Sequence, residues 1–509
     1  MKKLWTMLLA LALLLSMTAV NTVAGAEQEL TPLEVFIVSP WVTNELPPDD
    51  INIYKQFFAQ QYGVELNLSY SSDGETELLT RFTSGNAPDV VHFANFNQLN
   101  KFYEQEILLD DWTPFKEQFG EFIEAMTEEQ VAFFTRNGKL MALATAPGEQ
   151  SYSWMIREDW LNKLGLSMPT TLDELYDVLY AFTYNDPDGD GKNNTYGITS
   201  AGGGTSVGEL CNLQLFFGPI NWYLDENGKV SHPVLSGEYK EYLDFVKKLY
   251  DNGILDPNWY TQGWEDRKSE LFAGSYGMCY YPPAALLNES LSARRDNAAD
   301  DWWTLLPFPS GKLDAKALTG TAIISVSEEC AQDEAKMAAL ARIMNNIIPS
   351  KDDYYKVNYF VEIDGAAMIR NDDGTVYYWY TDPNYVRQRG SGEGQYIATA
   401  LYSQFLRATG ADNTFSGNYD ATPSEHVKKV MSLTATVNNA ERYSPEAKYL
   451  TLDSSTMEEA DMVYQEFTIN YIMGVDDDYD SFVEAWLAAG AEALKAQAEE
   501  QWIEWGFIK

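Results

Sequence analysis

Basic residues are scarce in this chain. Its 509 residues hold 35 Lys and Arg against 76 Asp and Glu, a formal net charge of −41. So acidic a molecule argues against nucleic acid and against docking on anionic lipid. Cysteine is scarcer still, with only Cys211, Cys279 and Cys330. Three thiols support no disulfide framework; at most one bridge could form, and three buried thiols are expected. The three histidines, His92, His232 and His426, are scattered and suggest no catalytic triad. Zinc-ligand spacing, a phosphate-cradling loop and a nucleophile motif are all missing. A glycosidase needs only two carboxylates across one bond, so a secreted carbohydrate-active enzyme remains the alternative to a binding protein. Beyond the first residues, no apolar run is long enough to cross a bilayer. There is no internal repeat and no low-complexity linker.

What is present is ample core material, at 45% hydrophobic residues. A single core seldom grows past ~250–300 residues, so at least two domains are expected. The 14 Trp, 32 Tyr and 24 Phe exceed what packing needs, and aromatic faces often serve recognition. The start reads as an export signal: Lys2 and Lys3, the apolar run Leu8 to Leu15, and the small-residue site Ala24-Gly25-Ala26. A signal peptide over 1–26 is expected, with the mature chain starting near Glu27.

"LEVFIVSP" (33–40) alternates and is β-rich. A helical stretch around Ile53 to Tyr62 leads to a second strand, "VELNLSY" (64–70). An amphipathic stretch from Glu75 to Phe82 precedes a short buried strand in "DVVHF". This β-α-β-α-β order predicts a parallel sheet with ligands beyond the carboxyl ends of its strands. Phe93, Asn95 and Phe96 would then lie at the rim. "GKLMALATAP" (138–147) reads as a hairpin and a crossing strand. Asp159 to Leu164 is a helix closed by Gly165. Thr171 caps the next helix in a capping-box arrangement with Glu174.

That helix ends in "NDPDGDGKNNTYG" (185–197). Asp186, Asp188 and Asp190 stand at positions 1, 3 and 5 of an EF-hand-like loop, and Gly191 at position 6 allows the sharp turn. Lys192 would offer its carbonyl and Asn194 its side-chain oxygen. Position 12 is Gly197, where a bidentate Glu is usual. A calcium ion is expected, held more weakly than in a full EF-hand, the alternative being a solvated Asx/Gly turn.

"REDWLNKLGLSMPTTLDELYDVLYAF" followed by this loop resembles the family 1 extracellular solute-binding proteins of ABC sugar importers. The resemblance is strongest to the subgroup with alginate-binding and LplA-like members. "TSGNAPDVVHFANFNQLNKFYEQEILLDDWTPF", "KSELFAGSYGMCYY" and "YIMGVDDDYDSFVEAWLAAGAEALKAQAEEQ" agree. The resemblance implies an α/β, two-lobed, periplasmic-binding-protein-like fold of type II. A hinge of crossing segments joins the lobes, and the ligand cleft lies between them. Lobe I is expected over 27–147 with a returning segment at about 303–360. Lobe II is expected over 148–302 with about 361–509, largely helical. The implied function is capture of an oligosaccharide for ABC transporter permease subunits, with no catalysis. The protein is expected to act as a monomer outside the membrane, at the cell surface or in a periplasm. Many relatives carry a lipid-anchoring Cys where this chain has Val20, so no lipobox cysteine is expected to hold it.

Sugars offer apolar C–H faces edged by hydroxyls, which aromatic and amide side chains recognise. Candidate ligand contacts in loop-like contexts are Trp41, Asn95, Trp154, Trp222, Trp264, Tyr281 and Trp379. Trp302-Trp303 is read as hinge packing, and Glu362 as a residue near the lobe junction.

Overall fold

The computed structural model describes residues 30–38, 46–71, 73–144, 152–283, 286–287, 303–307, 309, 311–313, 322–347, 429, 432–433, 435–437 and 439–508, with the backbone of strands Ala366–Arg370 and Val376–Tyr380. The export signal, Trp41 and Glu362 lie outside the described residues.

Among the described residues nine strands build the two main sheets: β1 (Thr31–Ile37), β2 (Val64–Tyr70), β3 (Val90–Phe93), β4 (Leu143–Ala144), β5 (Ser153–Arg157), β6 (Tyr196–Ile198), β7 (Tyr276–Tyr281), β8 (Trp303–Leu305) and β9 (Ile323–Val326). The first sheet has the order β2-β1-β3-β9-β4. Its β2, β1 and β3 are parallel, as the alternating helices predict, and β9 runs antiparallel to both β3 and β4. Every residue of β3 is buried, which is how a strand covered on both faces reads in sequence. The helix Ile53–Tyr62 connecting β1 to β2 begins on Asn52, whose Oδ1 accepts from the Tyr54 and Lys55 amides at 3.1 and 3.2 Å. It ends on Gly63 in the left-handed region.

The second sheet has the order β8-β5-β7-β6. β6 and β7 are parallel, and β5 is antiparallel to both β7 and β8. The two sheets therefore share one plan: β1-β3-β9-β4 matches β6-β7-β5-β8, with one antiparallel strand in the same place. In each sheet that strand is the one the chain uses as it arrives from the other half. The return to the first sheet comes at Ile323. Trp303–Leu305, expected to begin that return, pairs instead with β5. Trp303 is buried in the second half among Met155, Tyr281 and Leu286, so it packs under that sheet and not in a hinge.

One apolar core surrounds the first sheet, from Leu33 to Ile347. A second lies on one face of the second sheet and takes in the C-terminal helices Ser454–Ile472, Tyr479–Trp486 and Glu492–Glu504. Cys211, Cys279 and Cys330 are all free. Cys279 and Cys330 are buried as expected, while Cys211 is only partly covered by residue exposure. Burial pushes all three thiols up to about 12, so they stay protonated. Among the described residues no helix is long and apolar enough to cross a membrane.

The helix Leu172–Tyr184 that delivers the acidic loop departs from a strict capping box. Thr171 Oγ1 accepts from the Glu174 amide at 3.2 Å. The Glu174 carboxylate, however, accepts from the amide and hydroxyl of Thr170, both at 2.8 Å, one residue before the cap.

Candidate functional site

Strand direction locates the site. The carboxyl ends of β1, β2, β3 and β4 and the start of β9 share one edge of the first sheet. The carboxyl ends of β6, β7 and β8 and the start of β5 share one edge of the second. The chain leaves the first sheet at Ala144 and enters the second at Ser153, from edge to edge. It returns from Leu305 to Ile323 in the same manner. Each passage of the chain between the sheets therefore starts and ends at these same edges. In open α/β sheets these are the ends where ligands bind.

On the second edge the aromatic residues are ordered. Trp264 opens the helix Trp264–Ala273 and is 37% exposed. Its indole is near-parallel to the Tyr281 ring, at 15° with centroids 5.5 Å apart. The Arg267 guanidinium lies 4.2 Å from the Trp264 ring centroid and 5.3 Å from that of Tyr281. Tyr281 is buried, so it supports Trp264 more than it meets solvent. On the other side of β7, half-exposed Tyr152 stacks on Tyr280 at 5.6 Å. Successive residues of a strand point to opposite faces, so Tyr280 and Tyr281 supply one aromatic pair on each side of the sheet end.

After β6 the chain makes the glycine-rich turn 201–206. Gly202 has no room for a side chain: a Cβ there would come 2.4 Å from the Ser206 carbonyl and 2.6 Å from that of Tyr260. The buried Asp256 carboxylate fixes the surrounding loop. Its Oδ2 accepts from the Tyr276 hydroxyl (2.8 Å), the Gln262 amide (3.0 Å) and the Thr199 hydroxyl (3.1 Å). Burial, with Asp256 adjoining, pushes the Tyr276 hydroxyl above its ordinary value, so it stays a donor.

The other predicted contacts are distributed unevenly. Asn95 lies at the end of β3, on the first edge, exposed; its Oδ1 is engaged by the Gln98 amide at 3.0 Å as a helix cap. Phe93 and Phe96 are core residues rather than rim. Trp154 is fully buried and its Nε1 donates to the Asn212 carbonyl at 3.1 Å, so it is a core residue beneath the edge. Trp222 also goes to the core, 5% exposed and stacked on Trp486 at 5.8 Å beside buried His232. Irregular context suggested accessibility for both, but their neighbours come from distant segments that cover them. Trp379 lies on Val376–Tyr380, opposite Ala367 in an antiparallel pair. Tyr152, Tyr280, Glu209 and Arg267 were not singled out from sequence. The Trp264/Arg267 spacing of three on one helix face was the available signal.

In the acidic loop, one oxygen from each of Asp186, Asp188 and Asp190 lies within 4.8 Å of the others. Asp186 adopts φ +48° and Gly191 φ +77°. Asp186 Oδ1 accepts from the amides of Gly189 and Gly191 at 2.9 and 3.3 Å. The Lys192 ammonium, 3.0 Å from Asp190 Oδ2, holds that carboxyl below the usual carboxylate range. Asn194 Nδ2 donates to the same oxygen at 3.2 Å. Asp188 also acts electrostatically on the buried Arg157 of β5, whose guanidinium is forked onto Asp159 with both bonds at 2.7 Å. Hard oxygen donors converging on one point fit a calcium ion. Gly197 lies in β6, so position 12 supplies no carboxylate.

Residues 48–342 match the family model described as bacterial extracellular solute-binding protein. The chain belongs to that family. Over 387 residues it is 25% identical to the polygalacturonan/rhamnogalacturonan-binding protein YtcQ of Bacillus subtilis, covering 72% of this chain and 70% of that one. A human-milk-oligosaccharide (HMO) binding, ABC-transporter-associated solute-binding protein of Bifidobacterium longum infantis has the same fold. Its TM-score is 0.65 at 16% identity, over 94% of this chain and all of that one. An EF-hand mutant of the Streptococcus pneumoniae substrate-binding protein FusA, with fructo-nystose, gives a TM-score of 0.62 at 14% identity, over 94% and 99%. Extracellular solute-binding proteins hold a ligand without transforming it, so this chain is a binding protein and not an enzyme. Its architecture is the two-lobed α/β fold of these neighbours.

Proposed function

We propose that this solute-binding protein captures an oligosaccharide between its two lobes and presents it to the permease subunits of an ABC importer. The observation that carries this reading is the half-exposed Trp264 at the end of the second sheet, backed by Tyr281 and Arg267. A flat apolar ring beside hydrogen-bonding loops matches a pyranose or furanose face edged by hydroxyls. Relatives named for polygalacturonan and for fructooligosaccharide support a carbohydrate ligand. Trp264 is the contact this reading keeps on the second edge, with buried Tyr281 as its support and Tyr152 added. Asn95 is kept at the edge of the first sheet, and Trp41 and Trp379 complete the candidate set. The lobes are taken as 27–147 with a return at Ile323, and 148 onward with the C-terminal helices.

The reading includes a structural calcium ion held by Asp186, Asp188, Asp190, the Lys192 carbonyl and Asn194. The convergent carboxylates support it, as does a neighbour described by its EF-hand. The ion would neutralise like charges and tie down the loop beside β5 and β6. Export through the 1–26 signal and action as a monomer belong to the same reading.

Small-angle scattering tests the capture step. Two lobes on crossing segments close by a hinge. The radius of gyration is expected to fall when a bound sugar saturates the protein. An unchanged profile at saturation refutes a closing cleft.

A further inference from the structure

Behind the aromatic edge lies an ion pair that joins two separate parts of the rim. Arg267 is 1% exposed, and its Nη2 donates to Glu209 Oε1 at 2.9 Å. Glu209 Oε2 in turn accepts from the Ala201 amide at 2.7 Å and the Ser200 hydroxyl at 3.1 Å, at the start of the glycine-rich turn. That turn is also bound to the segment leading into Trp264. The amides of Gly202, Gly203 and Gly204 donate to the carbonyls of Trp259 (2.9 Å), Gln262 (3.1 Å) and Tyr260 (2.8 Å). The guanidinium meanwhile lies 4.2 Å from the ring centroid of Trp264, a residue that stays 37% exposed.

We propose that the Glu209–Arg267 pair positions the ligand platform, locking the Trp264 ring and coupling it to the glycine-rich turn so that the rim meets its ligand preformed. The inference rests on the carbohydrate-binding reading for its purpose, and on the geometry alone for the locking. A half-exposed indole on the first residue of a helix would otherwise sample several rotamers. Freezing one such side chain on binding costs about 0.5–1.5 kcal/mol, or roughly three- to tenfold in affinity. A desolvated cation over an indole holds it in advance. Neither Glu209 nor Arg267 needs to touch the ligand, so both are positioning residues.

The test pairs Glu209→Gln with Arg267→Met, so that no buried charge is left without its partner. Near-ultraviolet circular dichroism is recorded with and without Trp264→Phe in each background, and the difference isolates the Trp264 signal. Affinity is measured for a panel of kestose, trigalacturonate and lacto-N-tetraose. The paired variant is expected to fold, to lose the Trp264 difference band, and to bind any panel sugar taken by the natural protein about three- to tenfold more weakly. A retained band with unchanged affinity overturns the proposal. Should that variant fail to fold, Arg267→Lys decides. It keeps the charge but not the planar fork, so the band is expected to weaken, and a full-strength band overturns the locking. If Trp264→Ala leaves sugar affinity unchanged, the platform reading fails separately, while the band still decides whether the pair locks the ring.

Discussion

Trp154 and Trp264 stand at the same sheet end, yet replacement by Ala should damage different properties. Trp154 is fully buried, with its Nε1 bonded to the Asn212 carbonyl. Emptying a Trp-sized site in a core costs about 3–5 kcal/mol, and here a buried carbonyl also loses its donor. Trp264→Ala gives up the covered part of the ring, with its stack on Tyr281 and one guanidinium contact worth about 1 kcal/mol. Its exposed part is another matter. A Trp buries ~150–250 Å² when fully covered, and residue 264 is still 37% exposed. That leaves ~60–90 Å², or ~1.5–2.3 kcal/mol at ~25 cal/mol per Å², which is about 10- to 50-fold in Kd. Titration calorimetry with a bound sugar and urea unfolding of both variants separate the two effects. Trp264→Ala should bind weakly; Trp154→Ala should unfold the earlier of the two. Normal binding by Trp264→Ala would show that its open face meets no ligand. Normal stability of Trp154→Ala would refute the burial argument.

Chelation should lower the melting temperature, and added calcium should restore it, by up to ~2.7 kcal/mol at a hundredfold excess over Kd. Asp188→Ala should abolish that response while sugar affinity changes little; melting indifferent to chelator and calcium refutes the ion. Burial drives the His232 imidazole down from 6.5 to about 3 in the folded protein. A lowered folded value means that the unfolded chain takes up the proton first. The neutral histidine therefore loses stability as pH falls from about 6.5 toward about 3, at about 1.4 kcal/mol per unit. Between pH 7.5 and 4.5 the natural protein should lose about 2.5 kcal/mol more than His232→Gln in urea unfolding. Equal losses refute the assignment.

Much of the chain was legible residue by residue, because the signals are local. The cap at Thr171, the closure at Gly165 and the alternation of helix and strand act over a few residues. They do not depend on what packs outside. The spacing of Asp186, Asp188 and Asp190 is equally local, and the structure brings the three carboxylates together. Burial is different, since it depends on segments far apart in the chain. Trp222 lies against Trp486 and Trp154 reaches the Asn212 carbonyl; nothing beside either tryptophan announces that partner. Trp303 joins the second sheet because β5 offers it a pairing edge, which its own neighbours do not reveal. Glu209 and Arg267 are 58 residues apart, and only the folded loop brings their charges to 2.9 Å. Sequence thus determined the elements, the acidic loop and the family. Tertiary structure decided which aromatic rings stay open to a ligand and what holds them, because exposure depends on the surroundings that folding assembles.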